Sequence, residues 1–321
     1  MTILDITRVT IAGFAAIRAR SGPLSLIIVP DLGGKICSLR DTRTNREWLW
    51  RHPRLPYRRA SADSDYSTSA DSGGWDECFP TVAACTLDNG LVLPDHGELW
   101  SQAPTLEVLS RDNTVAFRCR WHGRALPYSF ERTILLTTGS SKLRFEYHLT
   151  NVADYPLPFI WCAHPLLAIE PGMELRLPQA ARYHVWGSMP ADLLTPDQHL
   201  CFPPALQYND ADINLSHLPP ALGIALKLWS DPLPAGQGSA GLYAADGALT
   251  MHWDTALLPQ LALWLNLGAW AGDGGPPLYN LGLEPCIGAQ DSLAEALVHN
   301  AAAYLAPGAT RRWWLDVELE A

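Results

Sequence analysis

Three segments of the chain set ionisable side chains beside apolar runs. They are Pro94-Asp95-His96-Gly97-Glu98-Leu99-Trp100, Phe159-Ile160-Trp161-Cys162-Ala163-His164-Pro165 and Tyr279-Asn280-Leu281-Gly282-Leu283-Glu284-Pro285-Cys286-Ile287-Gly288. In the last two, a histidine and a glutamate each follow an apolar stretch and precede a proline, which interrupts ladder pairing. An ionisable group at the mouth of an apolar wall is where proton affinity can be tuned. Imidazole donates or accepts a proton near neutrality with little tuning. A carboxylate and an imidazole together suit a reaction in which one oxygen loses a proton while another gains one. Each positioned acid or base contributes roughly 10²–10⁴-fold. Such chemistry needs no metal and no organic cofactor. Taken singly, Glu284 also reads as a salt-bridged structural carboxylate and His164 as a satisfied core histidine. His96 sits in a turn.

Strands must position these groups. Apolar residues take every second place in Leu143-Arg144-Phe145-Glu146-Tyr147-His148-Leu149, and again at Val115, Phe117, Cys119 and Trp121 and at Trp313, Leu315, Val317 and Leu319. This period buries one face of a strand and wets the other, which puts His122 and His148 on the surface. Leu24 to Val29 is nearly continuous and predicts a strand covered on both faces. Turn signals such as Asp88-Asn89-Gly90 and Ala245-Asp246-Gly247 separate the runs. Many short strands joined this way predict an all-β sandwich or barrel, in a single domain over residues 1–321. The irregular stretches 51–75, 187–220 and 268–278 are long enough to serve as binding loops or lids. Ser292-Leu293-Ala294-Glu295 has capping-box spacing and predicts one short helical turn.

Composition narrows the partners. The formal net charge of −10 argues against nucleic acid or an anionic membrane. With 48% hydrophobic and 17% charged residues, the chain can bury a sizeable core. Its seven cysteines contain no C-x-x-C pair, against a zinc knuckle or redox dithiol; reduced, scattered cysteines fit a cytoplasmic setting. No basic start leads into an apolar stretch, and no apolar run reaches the roughly 18 residues of a membrane span. The basic group Arg51, Arg54, Arg58 and Arg59 reads as a solvated face.

The ordered set His96-Gly97, His164-Pro165 and Glu284-Pro285 resembles the aldose 1-epimerase family of the galactose mutarotase-like superfamily. Gly33-Gly34-Lys35-Ile36, Gly73-Gly74-Trp75-Asp76-Glu77-Cys78-Phe79-Pro80 and Leu305-Ala306-Pro307-Gly308 add to it, so the resemblance spans roughly residues 20 to 320. It implies a large twisted β-supersandwich and a small-molecule sugar substrate. It also implies a mechanism. Glu284 takes the proton of the anomeric hydroxyl and His164 protonates the ring oxygen. His96 binds near that oxygen and shares the acid role. The ring opens, the aldehyde rotates, and reclosure gives the other anomer.

The acceptor for the sugar hydroxyls is left among Asp76, Glu77 and Asp254. Trp264, with Asn266 two residues on and pointing the same way, is the first candidate to hold the sugar ring, followed by Trp75 and Trp100. Two departures bear on the substrate. Leu166 and Leu167 follow His-Pro where the galactose mutarotases carry aromatics. Ser72 stands before Gly73-Gly74 where the hexose-6-phosphate 1-epimerase branch carries arginine, and the acidic Asp76 and Glu77 follow, which disfavours a phosphosugar. A non-catalytic sugar-binding protein on the same fold and a hexose-6-phosphate 1-epimerase are the alternative readings.

Overall fold

The alternating runs form the strands of two large antiparallel sheets in a computed structural model that describes residues 4–62, 64–178, 181–202, 205–208 and 211–321. Across the larger, twelve-stranded sheet the order is Asp5–Ile11, Phe14–Ser21, Leu24–Val29, Lys35–Asp41, Trp75–Cys78, Trp161–Leu167, Tyr279–Ile287, Gln260–Leu267, Ile224–Ser230, Arg182–Met189 and His199–Cys201, with Arg46–Glu47 paired to Lys35–Asp41. The eight-stranded sheet runs Glu174–Arg176, Ser239–Ala244, Gly247–His252, Thr310–Glu320, Lys142–Asn151, Tyr128–Thr137, Thr114–His122 and Thr105–Arg111. The expected all-β sandwich is the observed architecture.

Aromatic side chains join the two sheets. Trp75 stacks on Phe145 at 4.6 Å, and Trp161 packs against Tyr147 at 4.8 Å and Trp313 at 5.1 Å between ring centroids. The inward partners Leu143, Phe145, Tyr147 and Leu149 are buried, as their alternation demands, and Leu24–Val29 is covered on both faces. Among the described residues one α-helix interrupts the strands, Leu293–Val298, with Ser292 accepting the Glu295 amide as its cap. Among the described residues, no helix is long and apolar enough to cross a membrane.

The centre of the large sheet carries a defect that matters for the site. Cys162 faces Cys286 and Leu166 faces Gly282, but pairing lapses between these points. Pro165 and Pro285 stand within the lapse and have no N–H to give. The strands nevertheless run on through both prolines. By register, the lapse sets His164 directly across from Glu284 on the face turned away from the smaller sheet.

Candidate active site

One row of side chains crosses that outer face. Asp76 pairs with His164, Ala262 with Glu284, and Trp229 with Ala262. The next row holds Leu166, Gly282, Trp264 and Lys227. Above them lies a cavity of about 350 Å³, within the range of small-ligand pockets. It is lined by His96, His164, Lys227, Glu284, Asp291, Asp71, Asp95, Leu166, Tyr66, Trp264, Trp270, Trp186 and Met189, among others.

Glu284 is fully buried. Its Oε2 accepts a hydrogen bond from Lys227 Nζ at 2.5 Å, while Oε1 has no hydrogen-bond partner. The nearest imidazole nitrogen, His164 Nε2, stands 3.8 Å from Oε1. That gap is too long for a hydrogen bond but leaves room for an oxygen at about 2.8 Å from both atoms. Lys227 also reaches Asp291 Oδ1 at 3.5 Å, and Trp229 Nε1 donates to the same oxygen at 3.1 Å. Desolvation pulls the Lys227 pKa down, but Asp291 and Glu284 more than offset it, so the ammonium is held protonated.

The two histidines are shifted in opposite directions. Burial drives the His164 pKa well below its usual value, helped by the positive charges of His96, Lys227 and Lys35; its imidazole is neutral. Burial acts the same way on His96, but Asp95 outweighs it through charge and a 2.9 Å hydrogen bond to Nδ1, so the His96 pKa is raised. His96 has a left-handed backbone (φ 57°). It is stacked on Tyr66 at 4.0 Å and meets His164 edge-on at 4.9 Å. Strained backbone of this kind persists only where its surroundings over-determine it. Asp95 Oδ2 does that here by accepting the Tyr66 and Ser67 amides, while Trp100 Nε1 donates to the Asp95 carbonyl.

Of the residues singled out from the sequence, the fold brings Glu284, His164, His96 and Trp264 together at the cavity. Glu77, Trp75, Asp76, Asn266 and Asp254 do not line it. Glu77 and Trp75 point to the opposite face, because strand parity places them between the sheets. Glu77 accepts from Arg132, Tyr147 and Trp161, and Trp75 is sealed against Phe145. Asp76 shares the outer face but lies under Tyr66, whose hydroxyl donates to it at 2.8 Å; Lys35 Nζ donates to the same oxygen. Asp76 therefore positions Tyr66 and does not reach the cavity. Asn266 is likewise indirect. It accepts the Ala269 and Trp270 amides and donates to the Trp270 carbonyl, which sets Trp270 edge-on to Trp264 at 5.6 Å. Asp254 is exposed and caps its own turn by accepting the Ala256 amide.

The irregular stretches do supply cavity walls: Tyr66 and Asp71 come from 51–75, Met189 from 187–220 and Trp270 from 268–278. Arg54 ties the first to the third through paired bonds to Asp273 of 2.6 and 2.7 Å. Arg59 binds Asp31 and Arg51 covers the Tyr57 ring, so the basic group is spent within the loops. The glycine pair earns its place here. Gly73 has φ 77°, and a Cβ on it would lie 2.2 Å from the Trp50 carbonyl oxygen.

Sequence reasoning missed Lys227, Asp71, Asp291 and Trp270. Lys227 had a signal, as the lone charge in Ile224-Ala225-Leu226-Lys227-Leu228-Trp229. Asp71 and Asp291 had none, since each lies in a polar loop.

No family model matches the chain, and no curated protein matches it. Solved structures do. A candidate aldose 1-epimerase from Klebsiella pneumoniae superposes with a TM-score of 0.73 at 16% identity, over 99% of this chain and 83% of its own. The fold is galactose mutarotase-like. A galactose mutarotase-like protein from Clostridium acetobutylicum superposes with a TM-score of 0.69 at 13% identity, over 99% and 98%. A TPR-domain-containing protein from Parabacteroides distasonis matches 96% of this chain but 47% of its own, with a TM-score of 0.67 at 14% identity; the chain spans about half of that protein's length. Identities this low carry the mutarotase-like architecture alone, and chemistry must be argued from the cavity.

Proposed function

We propose that the protein is a mutarotase of the aldose 1-epimerase type, interconverting the anomers of a free, uncharged aldose. The observation that carries this reading is Glu284. One of its oxygens is held by Lys227, and the other is bare and faces His164 across 3.8 Å, with His96, whose pKa Asp95 raises, edge-on to His164. A buried oxygen without a partner costs about 1–3 kcal/mol, and at Glu284 that oxygen faces an imidazole across a gap that a substrate oxygen fits.

In the forward direction Glu284 Oε1 takes the proton of the anomeric hydroxyl. The electron pair of that O–H bond forms the aldehyde C=O, and the bond from the anomeric carbon to the ring oxygen breaks. The ring oxygen takes a proton from an imidazole. His96 holds that proton at rest, while neutral His164 lies between His96 and Glu284 and bridges the two ends of the reacting group. The acid role expected of His164 is thus shared, with the resting charge on His96. After the aldehyde rotates, the steps reverse and reclosure restores both protons.

The lining supports an uncharged substrate. Asp71, Asp95, Glu284 and Asp291 face the cavity against Lys227 and His96, and no arginine lines it among the described residues. A phosphosugar would meet repulsion there. Trp264 and Trp270 offer ring faces and edges to the apolar side of a sugar.

Polarimetry and exchange NMR on a panel of neutral sugars test the proposal. Anomer interconversion faster than buffer with at least one sugar is expected. Sugar binding without acceleration would contradict it and support a non-catalytic sugar-binding protein; acceleration of a 6-phosphosugar alone would overturn the neutral-substrate reading.

A further inference from the structure

We infer that the chain carries a second site, for a transition-metal ion of the zinc class, at the outer edge of the large sheet. It is separate from Cys78, His96 and His164, whose ligand atoms also converge but of which both histidines line the cavity already described.

The edge strand His199–Cys201 pairs with Arg182–Met189 so that His199 lies directly opposite His184. Residues opposite one another in an antiparallel pair project from the same face, and the two imidazole centroids are 4.5 Å apart. The third ligand comes from the far end of the neighbouring strand. The Asp231 amide donates to the Arg182 carbonyl at 2.7 Å, and this bond brings Asp231 Oδ1 to 2.8 Å from His184 Nε2. One ligand atom from each of His184, His199 and Asp231 lies within 4.8 Å of the others.

Two imidazoles and a carboxylate suit zinc, and nickel or copper by the same donor chemistry; magnesium and calcium prefer all-oxygen sets. Arg182 strengthens the case. Its Nε and Nη2 both bind Asp231 Oδ2, at 2.9 and 2.8 Å, which turns Oδ1 toward the histidines. Ligating carboxylates in metal sites are commonly fixed by such an outer partner. An ordinary ion pair would account for His184 and Asp231, but it gives His199 no part.

The position says what the ion would do. His184 extends the row that runs through Trp229 and Ala262 to Glu284, three strand spacings away, or about 14 Å. A metal there cannot touch the sugar. It would clamp the edge strand to Arg182–Met189, which carries Trp186 at its middle and Met189 at its other end, both lining the cavity. The ion is therefore a positioning element for the rim.

Titration of the untagged, chelator-stripped full chain with zinc chloride by calorimetry tests this without any turnover assay. One zinc per chain is expected, with a rise in melting temperature. His184→Ala and His199→Ala should abolish binding while leaving the far-ultraviolet dichroism of the protein unchanged, because both side chains are partly open to solvent. Cys201→Ser, at the neighbouring exposed thiol, should bind as the wild type does. Cobalt loading should give the visible bands of imidazole coordination. Absence of saturable binding, survival of binding without both histidines, or its loss in Cys201→Ser would each overturn the site.

Discussion

Glu77 and Glu284 are buried carboxylates on neighbouring parts of one sheet, each facing a buried cation, and they stand on opposite faces. Glu77 is turned to the core, where Arg132, Tyr147 and Trp161 all donate to it. Glu284 is turned to the cavity, where Lys227 holds one oxygen and the other is bare. The difference lies in what is left unpaired. Glu77 has a donor on each oxygen and is spent on holding the core; Glu284 leaves one oxygen open to a substrate beside an imidazole. Burial and charge pairing, which the two share, do not separate the roles.

The sharpest way to break this contrast is through stability. Glu77→Gln leaves the Arg132 guanidinium without its counter-charge in the core and should cost about 3–5 kcal/mol, read by urea denaturation. Glu284→Gln should cost less, because Lys227 keeps Asp291. Equal losses would erase the distinction. Lys227→Met tests the cavity side. It strands Glu284 and Asp291 together, and should lower both melting temperature and kcat, whereas a loss of stability with kcat intact would make Lys227 purely structural.

The histidines give a pH test. The His96 pKa is raised chiefly by Asp95 against its own burial. If the charged imidazole is the acid, activity falls as pH rises through that raised pKa. Asp95→Asn keeps an oxygen for the Tyr66 and Ser67 amides but removes the charge, so the alkaline limb of kcat/KM should move to lower pH. An unmoved limb would assign the proton elsewhere. The smallest effect is expected at Trp270→Ala, which loses the edge contact with Trp264. It should raise KM by a few-fold, matching the roughly 0.5–1.5 kcal/mol of an aromatic pair, with kcat little changed.

Alternation made much of the fold legible. Leu143, Phe145, Tyr147 and Leu149 face inward because their strand has one wet side, and the period reports it. The same logic failed at Trp75–Cys78 and Tyr279–Ile287, which are covered on both faces or nearly so. With no polar face to mark orientation, Glu77 and Asp76 read alike as candidate acceptors, and the fold turns Glu77 to the core. His96, His164 and Glu284 were legible as motif residues beside a glycine or a proline, although the strands carrying His164 and Glu284 do not end there. Asp71 and Asp291 were not, because only the closure of distant loops brings them to the cavity. Asn266 was placed on the correct face, yet it works through Trp270, a contact that strand periodicity does not encode.

The central claim is that the unpaired oxygen of Glu284 performs the chemistry and that Glu77, so similar in setting, does not. Anomeric exchange NMR on Glu284→Gln and Glu77→Gln, side by side at a temperature where both are folded, tests it directly. Glu284→Gln should lose roughly 10²–10⁴-fold in exchange rate, and Glu77→Gln should retain the wild-type rate per folded molecule. Wild-type exchange in Glu284→Gln, or an equal loss in both, would contradict it.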